Sequence, residues 1–315
     1  MKKITVIIPF LNEGEEIYKT VKNIRETSGE EVAILLVNDA STDGTDYKDV
    51  AEQFRTGYIE HKERCGVAFS RDEAIEACDT FFFLLLDGHM RFLHKGWSTR
   101  FIELLESDRR AVFCGQTKVL FKNDDGTIIQ GTNPPPFGAF IDFERNDWKA
   151  FWSYWDPDPD NSVVDIPVIL GASYACNKAY WQRLGGLEGL KVYGLDEQFI
   201  SLKTWMEGGR CRLLKDLEVE HLYRKSFPYE MTYYHQVYNQ LLLSELLLPE
   251  NLREKFQDRV IETAPRKMVI EVMEELLKQE AWVDERRAYY QSLFIHPFDF
   301  ILSRHLEVKT KNNHK

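Results

Sequence analysis

The sequence predicts an α/β fold, in which helices flank a mostly parallel sheet, followed by a helical C-terminal extension. Over the first 120 residues, short apolar runs rich in β-branched side chains alternate with segments of helical apolar spacing. Most of these runs are largely apolar, as expected for parallel strands that are buried on both faces. Beyond Met231, apolar side chains recur at i, i+3 and i+4, which is typical of packed helices.

Each predicted element follows from one of these two periods. The first half is predicted to contain strands Ile4–Phe10, Glu31–Val37, Gly57–Glu60 and Phe81–Leu86 and helices Glu15–Thr27, Asp46–Phe54 and Val67–Cys78. Mixed α/β structure is expected from Leu170 to Arg224, after a strand at Val168–Leu170. Helices are then expected at Thr232–Leu248, Leu252–Thr263, Pro265–Lys278 and Trp282–Phe294, and a frayed tail from Lys309.

Residues 121–167 break this pattern. They include Asn133-Pro134-Pro135-Pro136 and Asp156-Pro157-Asp158-Pro159-Asp160, and prolines at this density exclude long regular elements. Two interpretations stay open: a surface excursion whose aromatic side chains pack on the domain, or an insertion that faces a substrate. The predicted organisation is an α/β domain over 1–230 and a helical region over 231–315.

The composition limits the classes of function. Forty Lys and Arg residues against 51 Asp and Glu residues give a net charge of −11, which argues against nucleic acid as a general partner. The five cysteines are scattered without a CxxC pair, so neither a disulfide framework nor a structural zinc site is expected. Apolar runs are too short for a transmembrane anchor or a signal peptide, so we expect a cytoplasmic protein.

The most apolar predicted strand ends in Asp87-Gly88-His89. In open α/β sheets, ligands bind outside the carboxyl ends of the strands. Residues two apart in an extended segment point the same way, so Asp87 and His89 could bind one divalent cation, with Gly88 allowing close approach of a ligand. Carboxylate, imidazole and phosphate ligands suit Mn²⁺ better than Ca²⁺. The alternative is that Asp87 caps the next helix and His89 is incidental.

The strand that ends at Asn38 is also followed by an acid. The segment reads Asn38-Asp39-Ala40-Ser41-Thr42-Asp43-Gly44-Thr45, and turn and helix-cap chemistry accounts for much of Ser41 to Thr45. Asp39 lies at the strand end itself. We expect it to face a ligand, such as the base or ribose of a nucleotide.

Together with Pro9-Phe10-Leu11-Asn12-Glu13, these segments resemble family 2 glycosyltransferases of the GT-A fold. That family has an apolar strand ending in Pro-x-x-Asn-Glu, then Asp-x-Ser-x-Asp-Gly-Thr, then an acidic metal motif of the Asp-x-Asp type. The resemblance spans residues 4 to 225. It implies that Pro9, Asn12, Glu13 and Asp39 bind the nucleotide-sugar donor, and that Arg71 lies near the nucleotide.

A closer resemblance, to the polypeptide N-acetylgalactosaminyltransferases, extends the metal motif. Those enzymes use Asp-x-His and take a third ligand from a distant Val-x-His-x-x-Arg segment, which Val219-Glu220-His221-Leu222-Tyr223-Arg224 matches. The resemblance implies that Asp87, His89 and His221 bind Mn²⁺ or Mg²⁺. The diphosphate of a UDP-sugar would complete the ligand set.

The segment that begins Tyr193-Gly194-Leu195-Asp196-Glu197 resembles the Trp-Gly-Gly-Glu-Asn segment of the same enzymes. By resemblance, Asp196 binds the sugar and Glu197 is the base that deprotonates an acceptor hydroxyl, as in inverting members. The retaining enzymes have asparagine at that position. The alternative is that both acids only favour the helix N-terminus.

Three further roles come from the resemblance alone. Gly171 and Ala172 would leave room beside the donor sugar, and Tyr193 takes the place of a tryptophan that can gate the site. The segment Lys225–Met231 would close over the donor as a mobile loop.

The implied activity is metal-dependent transfer from a UDP-sugar to the hydroxyl of a glycan, a lipid-linked sugar or another acceptor, with inversion. Retaining transfer and a nucleotide-sugar-binding protein without activity are the alternatives. A nucleotidyltransferase is disfavoured because residues 9–13 form no Gly-rich phosphate loop with a basic residue. The C-terminal helices could form a homo-oligomer interface, cover the acceptor site or contact the inner face of a membrane.

Overall fold

The structure is a computed structural model that describes residues 2–28, 32–123, 125–224, 228–230 and 232–313. Its strands are β1 (Ile4–Phe10), β2 (Ala33–Asn38), β3 (Gly57–Glu60), β4 (Phe82–Leu86), β5 (Met90–Phe92), β6 (Ala111–Lys122), β7 (Ile128–Gln130), β8 (Ala139–Ile141), β9 (Ala150–Trp152), β10 (Val163–Asp165), β11 (Ser173–Asn177) and β12 (Arg210–Tyr223). Its helices are α1 (Glu16–Ser28), α2 (Tyr47–Phe54), α3 (Val67–Ala77), α4 (Trp97–Ser107), α5 (Lys178–Arg183), α6 (Asp196–Glu207), α7 (Tyr233–Leu247), α8 (Glu250–Thr263), α9 (Arg266–Lys278), α10 (Glu280–Leu293) and α11 (Phe298–Asn312).

One large sheet has the strand order β10-β12-β6-β11-β4-β1-β2-β3, and β5 and β7 pair with β12 and β6. Strands β3, β2, β1 and β4 are mutually parallel, as predicted, because helices connect them. Strand β11 runs antiparallel between β4 and β6, and β6 and β12 are again parallel. The chain leaves β1 toward β2 and returns on its other side as β4. Between β1 and β4 the sheet therefore has a topological switch point, where a crevice opens.

Helices pack on both faces of this sheet. One face is covered by α1, α2 and α4, whose apolar side chains, such as Ile17, Val50 and Phe101, form one core cluster with the sheet. The other face is covered by α3, α5, α6 and the C-terminal helices, which form the second cluster. The predicted α/β class with a helical extension is therefore confirmed.

Most strand and helix predictions agree with the structure to within one to three residues, although Glu31 lies outside the described residues. Beyond the end of β6, residues 121–167 contain only short regular elements in their described part, as expected from their prolines. Two other expectations are wrong in detail. The strand expected at Val168–Leu170 is instead an irregular segment with one bridge to Ala139, and the strand follows at β11. Helix α11 continues through Lys309, because that side chain pairs with Asp142 and Glu144.

The C-terminal helices are built into the sheet domain. Phe256 of α8 packs against Trp148, with ring centroids 5.0 Å apart, and both belong to the same cluster as Phe83 of β4. Residues 1–230 and 231–315 therefore share one apolar core. No helix in the described part of the chain is long and apolar enough to cross a bilayer.

Candidate active site

A cavity of about 520 Å³ opens at the carboxyl ends of β1, β2 and β4. Each of these strands is buried along most of its length, and the chain becomes polar where it leaves the sheet. Ten of the thirteen residues predicted to form the site line this cavity: Pro9, Glu13, Asp39, Arg71, Asp87, His89, Tyr193, Asp196, Glu197 and His221.

Asp87, His89 and His221 converge in this cavity. Asp87 directly follows β4, and the antiparallel pairing of β5 with β12 places Met90 opposite His221, so that His89 lies beside it. The Nε2 atoms of the two histidines are 3.1 Å apart, and His221 Nε2 is 3.4 Å from Asp87 Oδ2. One ligand atom from each residue thus lies within 4.8 Å of the others.

These three side chains fit a divalent cation. For a six-coordinate ion with bonds of about 2.1 Å, neighbouring ligand atoms lie about 3 Å apart, close to the spacings found here. Two imidazoles and one carboxylate are ligands that Mn²⁺ accepts. Burial lowers the pKa of His221, which keeps the imidazole neutral and able to donate an electron pair. Despite its burial, the pKa of Asp87 is also lowered, by His221 and Arg71, so its carboxylate is charged.

Glu13 holds His89 in this orientation. Its Oε2 atom lies 2.9 Å from His89 Nδ1, and the guanidinium of Arg224 donates a hydrogen bond to the same oxygen. A carboxylate at Nδ1 fixes the tautomer whose Nε2 lone pair faces the cation site. His221 lacks such support, since its buried Nδ1 has no hydrogen-bond partner among the described residues. Glu13, predicted as a donor-binding residue, thus contacts His89, a candidate cation ligand.

Arg71 connects the candidate cation site to the start of α6. Its buried guanidinium donates to Asp196 Oδ2 at 2.5 Å and to Asp87 Oδ1 at 3.4 Å. It also lies over the ring of Tyr174, 5.4 Å from the centroid. Arg71 therefore lines the cavity, but two carboxylates already bind it, and the carboxylate of Asp196 is oriented by this ion pair.

Glu197 lies on the cavity wall, and no cationic side chain of the described residues forms an ion pair with it. Burial, and then the charge of Asp196, raise the pKa of Glu197 to about 7. Gly171 packs directly behind it: a Cβ atom built on Gly171 would overlap with the Glu197 carboxylate. Gly171 does not line the cavity itself. Its lack of a side chain leaves room for the Glu197 carboxylate.

The wall beside Tyr193 depends on a left-handed backbone. Val192, a β-branched residue, has φ 46°, and its carbonyl accepts a hydrogen bond from Val67 N at 2.7 Å. A Cβ on Gly66 would overlap with Val192, so a glycine is needed at this crossing. This conformation is costly for valine and is held by the surrounding contacts. It presents Tyr193, whose side chain is 37% exposed, to the cavity.

Asp39 lines the cavity, but the loop after β3 surrounds its carboxylate. Oδ1 accepts a hydrogen bond from Cys65 N at 2.7 Å and lies 2.8 Å from His61 Nδ1, and Oδ2 accepts one from Gly66 N at 2.9 Å. Asp39, His61 and Cys65 also form a cluster of possible metal ligands. Because the Asp39 oxygens are already hydrogen-bonded, we interpret this cluster as the support of a loop.

Three predicted residues lie outside the cavity lining, each in a supporting position. Besides Gly171, these are Asn12 and Ala172. Asn12 joins the loops after β1 and β2, because its backbone N–H donates to Ser41 Oγ and its Oδ1 accepts from Thr42 N. The carbonyl of Ala172 accepts a hydrogen bond from Asp87 N at 3.1 Å.

The predicted loop Lys225–Met231 is described only at 228–230, since residues 225–227 and 231 lie outside the described residues. The described part borders the cavity. Arg64 Nη1 donates to the carbonyl of Glu230 at 2.7 Å, and its guanidinium lies over the ring of Tyr229. Sequence reasoning missed Arg64, for which no motif gives a signal. It also missed Tyr223, although this residue lies within the quoted histidine motif.

Comparison with known proteins gives one family match and several relatives. Residues 5–154 match the family model described as "Glycosyl transferase family 2". Polypeptide N-acetylgalactosaminyltransferase 10 of Rattus norvegicus is 27% identical over 242 residues, which are 72% of this chain and 39% of the relative. The chain thus spans about two-fifths of the length of this relative.

Two solved structures share the fold. One is "GalNAc-T7 with UDP, GalNAc and Mn2+", with a TM-score of 0.66 and 17% identity over 84% of this chain and 56% of that one. The other is S. aureus TarS 1-349 in complex with UDP-GlcNAc, with a TM-score of 0.53 and 13% identity. That match covers 92% of this chain and 91% of the TarS chain. Residues 5–154, just under half of the chain, are therefore similar to family 2 glycosyltransferases, and the chain shares the GT-A fold of these solved structures.

Proposed function

We propose that the protein transfers a sugar from a nucleoside-diphosphate sugar, a UDP-sugar, to an acceptor hydroxyl, with inversion at the anomeric carbon. The observation that carries this proposal is Glu197, a carboxylate with a pKa of about 7 in the same cavity as Asp87, His89 and His221. Solved structures of the same fold hold UDP, or UDP-GlcNAc, and one of them Mn²⁺.

Asp87, His89 and His221 would hold the cation, Mn²⁺ or Mg²⁺. When bound, the ion would act as a Lewis acid that neutralises charge developing on the leaving diphosphate. Two imidazoles among three protein ligands favour Mn²⁺, because Mg²⁺ prefers oxygen ligands. The protein's contribution is orientation: Glu13 fixes the His89 ring, and Arg71 contacts the Asp87 carboxylate.

Glu197 would act on the acceptor. The acceptor O–H bond breaks as its proton passes to the Glu197 carboxylate, and the oxygen forms a bond to the anomeric carbon. The bond from that carbon to the diphosphate oxygen breaks, and the nucleoside diphosphate leaves with the electron pair. A general base works best when its pKa is near the operating pH, and burial gives Glu197 such a pKa. Asp196, held by Arg71, would bind the donor sugar.

The test is the stereochemistry of the product. Wild-type protein with Mn²⁺ and a panel of UDP-sugars is followed by proton NMR of the anomeric signal. We expect the product to have the opposite anomeric configuration to the donor. We also expect kcat/KM to rise with pH through about 7, because the base must be deprotonated and is protonated below its pKa.

Retention of configuration would contradict the role of Glu197 and favour a mechanism like that implied by the asparagine of the retaining relatives. Metal-dependent donor binding with neither transfer nor donor hydrolysis would show a nucleotide-sugar-binding protein instead.

A further inference from the structure

In the insertion between β7 and β10, two tryptophan side chains differ greatly in their exposure to solvent. Trp148 is only 1% exposed and lies in the apolar core, where it contacts Phe256. Trp152, four residues later on β9, is 41% exposed. A hairpin that can bury one tryptophan completely leaves another in contact with solvent, next to the active-site cavity.

This exposure is a fixed feature of a well-anchored hairpin. Strands β8 and β9 pair with each other, and Ala139 also forms a double hydrogen-bonded bridge with Val168. Ile141 N donates to His305 Nδ1 at 2.8 Å, and Tyr154 N donates to Asn312 Oδ1 at 2.7 Å. The hairpin is therefore tied to α11 on either side of Trp152, so the backbone that carries this ring is held in place.

The Trp152 ring is close to the metal-binding side chains. Its centroid lies 5.9 Å from that of Tyr223, which lines the cavity, and Tyr223 lies 4.2 Å from the His221 ring. The distance from Trp152 to His221 cannot exceed these two spacings together. A sugar unit next to the reacting one could therefore reach the Trp152 ring.

Trp152 also borders a separate groove of about 560 Å³ between the hairpin and the end of α11. Aromatic side chains line it together with polar ones, among them Asp142, Arg145 and Asn313. Its charged lining residues are neutralised, since Asp142 pairs with Lys309 and Arg145 with Asp147. A locally neutral groove does not favour a strongly charged ligand.

We propose that the acceptor is a saccharide, and that a sugar unit next to the reacting one stacks on the Trp152 ring, with the chain continuing along this groove. The proposal rests on the proposed transferase function and names its acceptor class. A pyranose ring has an apolar C–H face and a rim of hydroxyl groups. An exposed indole beside neutral polar side chains matches both, because the ring covers the apolar face and the polar groups bind the hydroxyls.

The test compares wild-type protein with Trp152→Ala and Trp152→Phe. The probes are an array of defined oligosaccharides, with serine- and threonine-containing peptides as the other acceptor class, all in the presence of Mn²⁺ and UDP-sugars. We expect transfer to an oligosaccharide, an acceptor KM about tenfold higher for Trp152→Ala, and partial recovery with Trp152→Phe, which keeps a stacking ring. A structural role in folding would instead lower the melting temperature and change donor and acceptor KM together.

Phe81→Ala is the matched control, because Phe81 is 74% exposed and precedes β4 at the opposite end of that strand from the cavity. It should leave the acceptor KM unchanged. An unchanged acceptor KM in Trp152→Ala, or transfer to peptides and not to saccharides, would overturn the inference while leaving the transferase function intact. Failure of the wild-type protein to hydrolyse or transfer from any UDP-sugar would instead count against the proposed function.

Discussion

The cavity at the sheet edge and the C-terminal helical layer hold their buried side chains by opposite means. At the cavity, ionisable groups contact one another, as Arg71 does with Asp196 and Asp87. In the helical layer, apolar and aromatic contacts dominate, and a buried polar group such as His305 has one dedicated backbone partner. Clustered charges are poor elements of stability but suit chemistry. Substitutions at the cavity should therefore cost activity, and those in the helices should cost folding.

The largest expected effect tests the cavity side of this contrast. Glu197→Gln keeps the shape of the side chain but cannot accept the acceptor proton, so we expect the transfer rate to fall ~10²–10⁴-fold. The melting temperature should not fall, because a neutral side chain removes a buried charge. Steady-state kinetics and calorimetry would check both. Glu250→Gln, in the first turn of α8, is the control. Near-normal activity of Glu197→Gln would rule out the role as base.

The second expected effect tests the helical side. Phe256→Ala removes a fully buried ring that contacts Trp148 and Phe143, and such truncations cost about 3–5 kcal/mol of unfolding free energy. Urea denaturation would measure the loss, and kcat/KM of the folded protein should stay the same. Ile261→Ala, an exposed position on the same helix, should have little effect. A lower kcat/KM without a lower free energy of unfolding would contradict the difference between the cavity and the helical layer.

A smaller effect is expected from Glu13, which contacts a histidine of the proposed metal site. In Glu13→Gln, the amide can still contact His89 but carries no charge, and Arg224 loses its ionic partner. Loss of such support lowers metal affinity ~10–100-fold. Titration calorimetry with Mn²⁺ would show it, against the exposed control Glu15→Gln. Equal Mn²⁺ affinity in the variant and the wild type would contradict the positioning role.

The smallest effect concerns pH and the helical layer. Burial, and then the charge of Arg304, lower the pKa of His305 from 6.5 to about 3, so the folded protein keeps this imidazole neutral. Above pH 6.5, the neutral His305 makes its full contribution to the free energy of unfolding. As the pH falls from 6.5 toward 3, this contribution is lost, because only the unfolded chain takes up the proton. The limiting slope is about 1.4 kcal/mol per pH unit.

Urea midpoints measured between pH 7.5 and pH 5 would reveal this slope. His305→Gln can still accept a hydrogen bond from Ile141 N and should flatten the pH dependence. His94→Gln, a control at an exposed position, should not flatten the pH dependence of the urea midpoint. An equal pH dependence in His305→Gln and the wild type would show that His305 is not the group responsible.

Short-range patterns in the sequence predicted much of the site. Asp87 and His89 follow a buried strand, and this local signal placed both in the crevice. The contact between His89 and His221 depends on the register of β5 against β12, across more than a hundred residues. No local pattern encodes such a register. His221 was therefore predicted only through the resemblance to the polypeptide N-acetylgalactosaminyltransferases.

The supporting contacts could not be predicted in the same way. Glu13 was expected to bind the donor. Its carboxylate instead contacts His89 and Arg224, because the segments that follow β4 and β12 meet beside it. Asp39 holds Cys65 and Gly66 through their backbone N–H groups. Which polar group meets which depends on loop closure in three dimensions, and the motifs specify only residue types.

The apolar core common to the sheet and helices α7 to α11 limits how easily the C-terminal part can be exchanged for that of another protein. A protein whose catalytic and C-terminal parts have separate cores can exchange the second part freely. Here, a substitute for residues 231–315 would have to refill the space around Trp148 and cover the sheet face beside Phe83. Sequence changes on that face and in the C-terminal helices are therefore expected to be correlated, as if the two parts were inherited as one unit.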